Sequence, residues 1–301
     1  MNKPHVLYYD CLNYSKENLS YMEDFAFVET LPDPRFDTRC SQTMAGQIKA
    51  IFLPIGFSFP AQKMGKFSKL KLIASNTTTR PDVEADVEIV YLRDKTFLET
   101  ITSTAEHTLG LILSVHRRIP EASSDTEWNR FKWGAPKMLS RMNLVIWGQG
   151  RVGNHLADMA KNIFKNVCFV NRNMSDADIK TLLKEADVLA LTMSVEGQQP
   201  TVNKKHLMYL PHEAIVVNTA RGECLNNDAL LTMLRKGQLR GAGLDVLPGD
   251  HRFQFGRHSE LLQRTQQVTN LIITPHIAGS TEDAWNMTQR HVIDQVKDIL
   301  T

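Results

Sequence analysis

The most constraining feature of this chain is the run Gly148-Gln149-Gly150-Arg151-Val152-Gly153. It lies between a short apolar stretch, Leu144–Trp147, and a helical pattern, NHLADMAKNIF. A strand that turns on glycine into a helix gives each glycine a task. Gly148 permits the tight turn, Gly150 lets backbone approach a pyrophosphate, and Gly153 lets helix and strand pack closely. Arg151 and Val152 open the helix, whose first N–H groups and dipole favour phosphate. From there to about residue 275, the runs NVCFVN, VLALTM, AIVVNTA, GAGLDVL and NLIITP alternate with helical patterns. Such alternation predicts a parallel sheet covered by helices on both faces.

The first hundred residues read as a smaller α/β region, with strands at His5–Tyr9, Ala26–Glu29, Ala50–Pro54, Leu70–Ser75 and Glu88–Leu92. A helix opens at Thr104-Ala105-Glu106-His107 and ends in a basic HRR before Pro120, a proline expected to stop it. Glu121–Asn143 is polar, with Trp128 and Trp133 embedded, and reads as an irregular functional loop or interface arm. Glu282–Leu300 reads as one amphipathic helix.

Composition excludes several classes. With 301 residues, 35 basic and 33 acidic, the chain has a net charge of +2, which lacks the basic footprint of a nucleic-acid binder. A hydrophobic content of 42% excludes a disordered chain. The four cysteines, Cys11, Cys40, Cys168 and Cys224, form no CxxC pair; this argues against a zinc site and for a reduced, cytoplasmic setting. No apolar run reaches the roughly 18 residues of a membrane helix, and MNKPHVLYYD reads as a first strand, not a signal core.

The end of the strand after the glycine run bears on the cofactor. A carboxylate there would accept ribose hydroxyls and repel a 2′-phosphate. This chain has Asn171 followed by Arg172; an amide does not repel that phosphate and a guanidinium can pair with it. The expectation is NADP in preference to NAD, the alternative being an Asn171 that serves the ribose beside a solvated Arg172.

Three further motifs follow in order: Thr219-Ala220-Arg221-Gly222, Gly241–Val246 (GAGLDV), and Thr274-Pro275-His276-Ile277-Ala278-Gly279-Ser280-Thr281. With the TAEHTLGLIL helix and the glycine run, they make residues 104–285 resemble the D-isomer-specific 2-hydroxyacid dehydrogenases. The first hundred residues resemble that family weakly. The resemblance implies an α/β protein of two Rossmann-like domains with parallel sheets and the active site in the cleft between them. The nucleotide domain would span 104–283, and the substrate domain 1–103 joined by a final helix, 284–301. It implies an oxidoreductase moving hydride between NAD(P)H and a 2-oxoacid, working as a homodimer through the 104–119 helix and the tryptophan-bearing arm.

Residue by residue, the resemblance implies that Arg221 holds the substrate carboxylate and that His276 is the general acid/base. Imidazole suits that role because it titrates near neutral pH. The family's glutamate 29 residues after the arginine falls on Asp250, one methylene shorter, as the carboxylate beside His276. Asp245, the competing carboxylate, is assigned to the cofactor with Thr219, Ala220 and Gly279. The family's glycine-rich substrate loop is replaced by Ser75-Asn76-Thr77-Thr78-Thr79-Arg80. Here the backbone N–H groups of Asn76, Thr77 and Thr78 could hold a carboxylate, or the segment is simply a threonine-rich turn. The shortened Asp250 and the missing glycines favour a rival reading, a dinucleotide-sensing binding protein with little turnover, like the related C-terminal-binding corepressors. Arg221 and His276 speak against it, since a sensor needs neither.

Overall fold

The computed structural model describes residues 3–194, 200–250 and 268–301, which separate into two units, Met1–Thr100 with Thr281–Thr301 and Ile101–Ser280. In the first unit, strands β1 (His5–Tyr9), β2 (Phe27–Leu31), β3 (Ile48–Phe52), β4 (Leu72–Ser75) and β5 (Glu88–Tyr91) form a parallel sheet in the order β2-β1-β3-β4-β5. Side chains alternate across it with the period of two that a pleat imposes. Val6, Tyr8, Ala50, Phe52, Leu72 and Ala74 face helix α1 (Lys16–Phe25) and the C-terminal helix (Glu282–Leu300). Leu7, Tyr9, Ile51, Leu53 and Ile73 face Ala45 of α2 (Gln42–Ala45), Phe59 and Phe67. The short α3 (Lys95–Leu98) follows β5.

The C-terminal helix starts on Thr281, whose hydroxyl accepts from the Ala284 N–H. Its Val292, Ile293 and Val296 are completely buried against the first unit's sheet. Gln289, also buried, accepts hydrogen bonds from the Ser15 N–H and the Asn18 side-chain amide, both at 3.0 Å.

The second unit begins with α4 (Ser103–Arg117) and α5 (Ile119–Ser124). Its strands are β6 (Asn143–Trp147), β7 (Asn166–Val170), β8 (Val188–Leu191), β9 (Ala214–Asn218), β10 (Leu239–Leu244) and β11 (Leu271–Ile273). They pair in parallel in the order β11-β10-β9-β8-β6-β7. The helices between them are α6 (Arg151–Ala160), α7 (Asp176–Lys184), α8 (Lys204–Leu207) and α9 (Asn227–Arg235). Leu144, Ile146, Val188, Ala190, Ile215 and Val217 face α4 and α6, and Val145, Trp147, Leu189, Leu191 and Val216 face α7, α8 and α9. Strands so fully buried on both faces explain the nearly continuous apolar runs in the sequence.

One expectation is corrected here. Pro120 does not end the helical run; Arg118, in the left-handed conformation at φ 51°, closes α4, and Pro120 sits in the first turn of α5. Proline is tolerated there because a first-turn N–H has no helical partner to lose. The following stretch carries 3-10 turns at Arg130–Trp133 and Leu139–Arg141, so it is less irregular than its polarity suggested. Among the described residues, no helix is long and apolar enough to cross a membrane.

Candidate active site

The sheet order of the second unit places its crevice. Chain connection reverses direction at β6, which lies between β7 and β8, and ligands of open parallel sheets bind outside the strand carboxyl ends at such a point. Gly148 follows β6 there with φ 116°, and a Cβ on it would fall 2.7 Å from the Met193 nitrogen beyond β8. A Cβ on Gly153 would meet the Gly148 carbonyl oxygen at 2.1 Å, so the helix–turn contact requires glycine. Gly150 differs: a Cβ on it would meet nothing within 4 Å. Gly150 is also the N-cap of α6, and no side chain caps the helix there. The protein itself does not require a bare backbone at Gly150, whereas an approaching pyrophosphate does, so these residues fit a dinucleotide. Arg151, at the first helical position, donates from Nη1 to the Ile101 carbonyl at 2.6 Å, and Val152 packs against the α4–α6 core. Asn171 follows β7 and accepts the Asn173 N–H at 3.1 Å, forming a turn that presents Arg172 on an exposed corner.

The three motifs seen downstream occupy the carboxyl ends of β9, β10 and β11. These strands are neighbours in register, Leu244 pairing with both Asn218 and Ile273. After β9, the completely buried Asn218 accepts the Ala220 N–H at 3.0 Å and donates to the Arg221 carbonyl at 3.0 Å, which folds the Thr219–Arg221 turn. The Arg221 guanidinium donates from Nη1 to the Ala220 carbonyl at 2.7 Å. The next residue, Gly222, lies so close to the turn after β10 that a Cβ would sit 2.0 Å from the Leu247 carbonyl carbon. Glu223 accepts the Gly249 N–H at 2.8 Å from the same turn. That turn ends in Asp250, whose Oδ2 lies 2.9 Å from His276 Nδ1. The arginine loop, the Asp250 turn and the histidine loop are therefore packed in sequence. With Nδ1 against a carboxylate, Nε2 is the ring nitrogen left for a reacting group.

His276 stands at φ 55°, a left-handed conformation uncommon for a residue with a Cβ. Asp245 supplies the reason. Its carboxylate accepts the Thr274 hydroxyl at 2.6 Å and the Ile277 N–H at 2.9 Å on Oδ1, and the Ala278 N–H at 2.9 Å on Oδ2. Its main-chain oxygen accepts the His276 N–H at 2.8 Å. With its side chain only 1% exposed, Asp245 is built into the loop. Both of its oxygens thus bind the chain that carries His276. Gly279 closes this loop, exposed, with Thr104 the nearest neighbour of a Cβ there at 3.8 Å.

In the first unit, Asn76, Thr77 and Thr78 follow β4. Tyr14, whose hydroxyl burial holds well above its ordinary range, donates to Asn76 Oδ1 at 2.6 Å. The Thr77 carbonyl accepts the Leu92 N–H at 3.0 Å and its hydroxyl accepts the Thr79 N–H at 3.1 Å. Thr78 is exposed.

Sequence reasoning passed over Asn218, Glu223 and His107, which all support these loops. A polar residue closing the apolar run AIVVN is the one signal that could have marked Asn218.

Known proteins resemble this chain in sequence and in fold. The family model described as D-isomer specific 2-hydroxyacid dehydrogenase, NAD binding domain, matches residues 109–278. The D-3-phosphoglycerate dehydrogenase of Synechocystis sp. is 26% identical over 66% of this chain, which spans 37% of that longer protein. The glyoxylate reductase of Thermococcus litoralis is 26% identical over 89% of this chain and 86% of its own length. In fold, the D-lactate dehydrogenase of Aquifex aeolicus, solved with NAD and lactic acid, superposes with a TM-score of 0.76 at 20% identity, covering 98% of this chain and 95% of that one.

Proposed function

The chain belongs to the D-isomer-specific 2-hydroxyacid dehydrogenases, and from that premise we propose that it reduces a 2-oxoacid to the D-2-hydroxyacid, or runs the reverse reaction. Gly148–Gly153 would hold a reduced nicotinamide dinucleotide, which would supply the hydride. Arg221 binds the substrate carboxylate and polarises the 2-carbonyl. His276 delivers a proton from Nε2 to the carbonyl oxygen as the carbon is reduced, and recovers it in the oxidising direction. Asp250 fixes the ring through Nδ1 and offsets the imidazolium charge. Asn76, Thr77 and Thr78 contribute to recognising the acid. Arg172 favours NADP over NAD by pairing with the 2′-phosphate.

The observation that carries this reading is the 2.9 Å contact between His276 and Asp250 on neighbouring strand ends beside the Arg221 turn. A binding protein has no use for a polarised imidazole facing an anion site. The test is oxidation of NADH and of NADPH, followed by absorbance, with glyoxylate, hydroxypyruvate, phenylpyruvate and 2-oxoglutarate. Turnover of one or more acids is expected. His276→Asn should cut it about 100-fold or more while the dinucleotide still binds. Tight dinucleotide binding without turnover of any acid would favour the sensor.

A second copy of this chain is the proposed partner. Leu113, Ile119, Trp128, Phe131 and Met138 of the second unit are exposed large apolar residues on α4, α5 and the arm beyond. Such a grouping marks an association surface. Sedimentation should give the dimer mass, and Trp128→Ser should shift the equilibrium toward monomer; a monomeric parent chain would refute this.

A further inference from the structure

We propose that His107, with Thr108 beside it on α4, is a positioning residue: it pins the loop bearing His276 while Thr108 pins the loop bearing Arg221. The proposal rests on the acid/base reading of His276 and adds to it a residue that acts through the loop carrying it.

Hydrogen-bond counting fixes the direction of each contact. The Thr274 hydroxyl lies 2.6 Å from Asp245 Oδ1, and an ionised carboxylate only accepts, so the single hydroxyl hydrogen goes there. His107 Nε2 lies 3.0 Å from the same hydroxyl oxygen, so it carries a hydrogen and donates it. It is also 3.5 Å from Asp245 Oδ1. The result is a chain, His107 N–H to Thr274 O–H to Asp245, whose last member holds the N–H groups of His276, Ile277 and Ala278. On the other side, the Thr108 hydroxyl donates to the Thr104 carbonyl at 2.6 Å. Its oxygen therefore receives the Thr219 hydroxyl hydrogen at 2.7 Å, two residues before Arg221.

A support must itself be rigid, and α4 is. Leu111, Ile112 and Val115 are buried against the sheet, and a Cβ on Gly243 of β10 would stand 3.2 Å from Leu111 Cβ. The glycine in GAGLDV thus lets α4 settle directly on the strand that ends in Asp245. Consecutive residues of one helix hold the two loops whose relative placement the chemistry depends on. Loss of either bond frees one loop, and misplacement by an ångström can cost about 100-fold in rate.

The test compares His107→Gln, whose amide reaches Thr274, with His107→Asn, one bond too short, and His107→Ala. One readout is independent of turnover: hydrogen exchange at the Ile277 and Ala278 amides, with the His276 ring resonances in NMR. Asn and Ala should speed both amides about tenfold, the factor expected for one lost hydrogen bond, and move the ring resonances. The same variants should lower kcat about 10- to 100-fold with KM for the dinucleotide unchanged. Gln should restore exchange, ring signals and kcat together. Parental exchange and ring signals in Asn, or a Gln variant no better than Asn, would overturn the proposal. Should the parent chain turn over no acid while the exchange pattern is as expected, the dehydrogenase reading fails and the positioning role stands.

Discussion

Removing the charge of Asp250 while keeping its shape isolates what the carboxylate contributes. Asp250 Oδ2 faces His276 Nδ1 at 2.9 Å and also accepts the Leu247 N–H at 3.4 Å. Asparagine keeps a carbonyl oxygen that can accept both, so Asp250→Asn should preserve the turn. Two unit charges about 3 Å apart at an effective dielectric of about 40 attract by roughly 3 kcal/mol. The histidine side chain is 46% exposed and the aspartate 18%, so water screens a large part of this. A remaining effect of about 1.4 kcal/mol corresponds to a tenfold loss of kcat. Stopped-flow absorbance at saturating dinucleotide and oxoacid measures it. Parental kcat in the variant would refute the electrostatic account of Asp250.

Arg172→Ala should weaken NADPH binding by more than NADH binding in a fluorescence titration; equal losses would remove the argument for the phosphate. Gly153→Ala forces a methyl to within 2.1 Å of the Gly148 carbonyl oxygen, so it should cost about 1–3 kcal/mol of stability in chemical denaturation and weaken dinucleotide binding together. Unchanged binding would show that the turn adapts without harm. Burial depresses the imidazole pKa of His116 and of His206, so both prefer the neutral form when folded. The unfolded chain then takes up protons that the folded chain refuses. Stability is fully present above the unfolded value of about 6.5 and declines as pH falls below it. Thermal unfolding between pH 5 and 8 should show that slope, and His116→Gln should flatten it.

Much of the architecture was legible because the inner strands of the second unit, β6, β8, β9 and β10, are buried on both faces, which leaves unbroken apolar runs such as AIVVN. The final helix, too, was bounded at Glu282 and Leu300 by its own amphipathic period. Other features could not be read this way. Pro120 carries the same signal whether it ends one helix or begins the next; the left-handed Arg118 between them decides the matter. A carboxylate at a strand end, as at Asp245, gives no sign in sequence of the hydroxyl and N–H groups it accepts from a loop about 30 residues on. The spacing to Asp250 came through the family resemblance alone, since no local pattern in LPGD relates it to a histidine on another strand. His107 reads as an ordinary helix residue because its partners, Thr274 and Asp245, arrive from far along the chain.

The return of the last helix has a consequence during synthesis. Every residue of the second unit leaves the ribosome before Val292, Ile293 and Val296 exist to cover Val6, Phe52 and Leu72. The first-made strands must therefore wait, one greasy face only partly covered, by α1, while the later-made unit completes its own core. The nascent chain reverses the order of its translation: what emerges first is finished last, and that half-covered face is where chaperones would have most to protect.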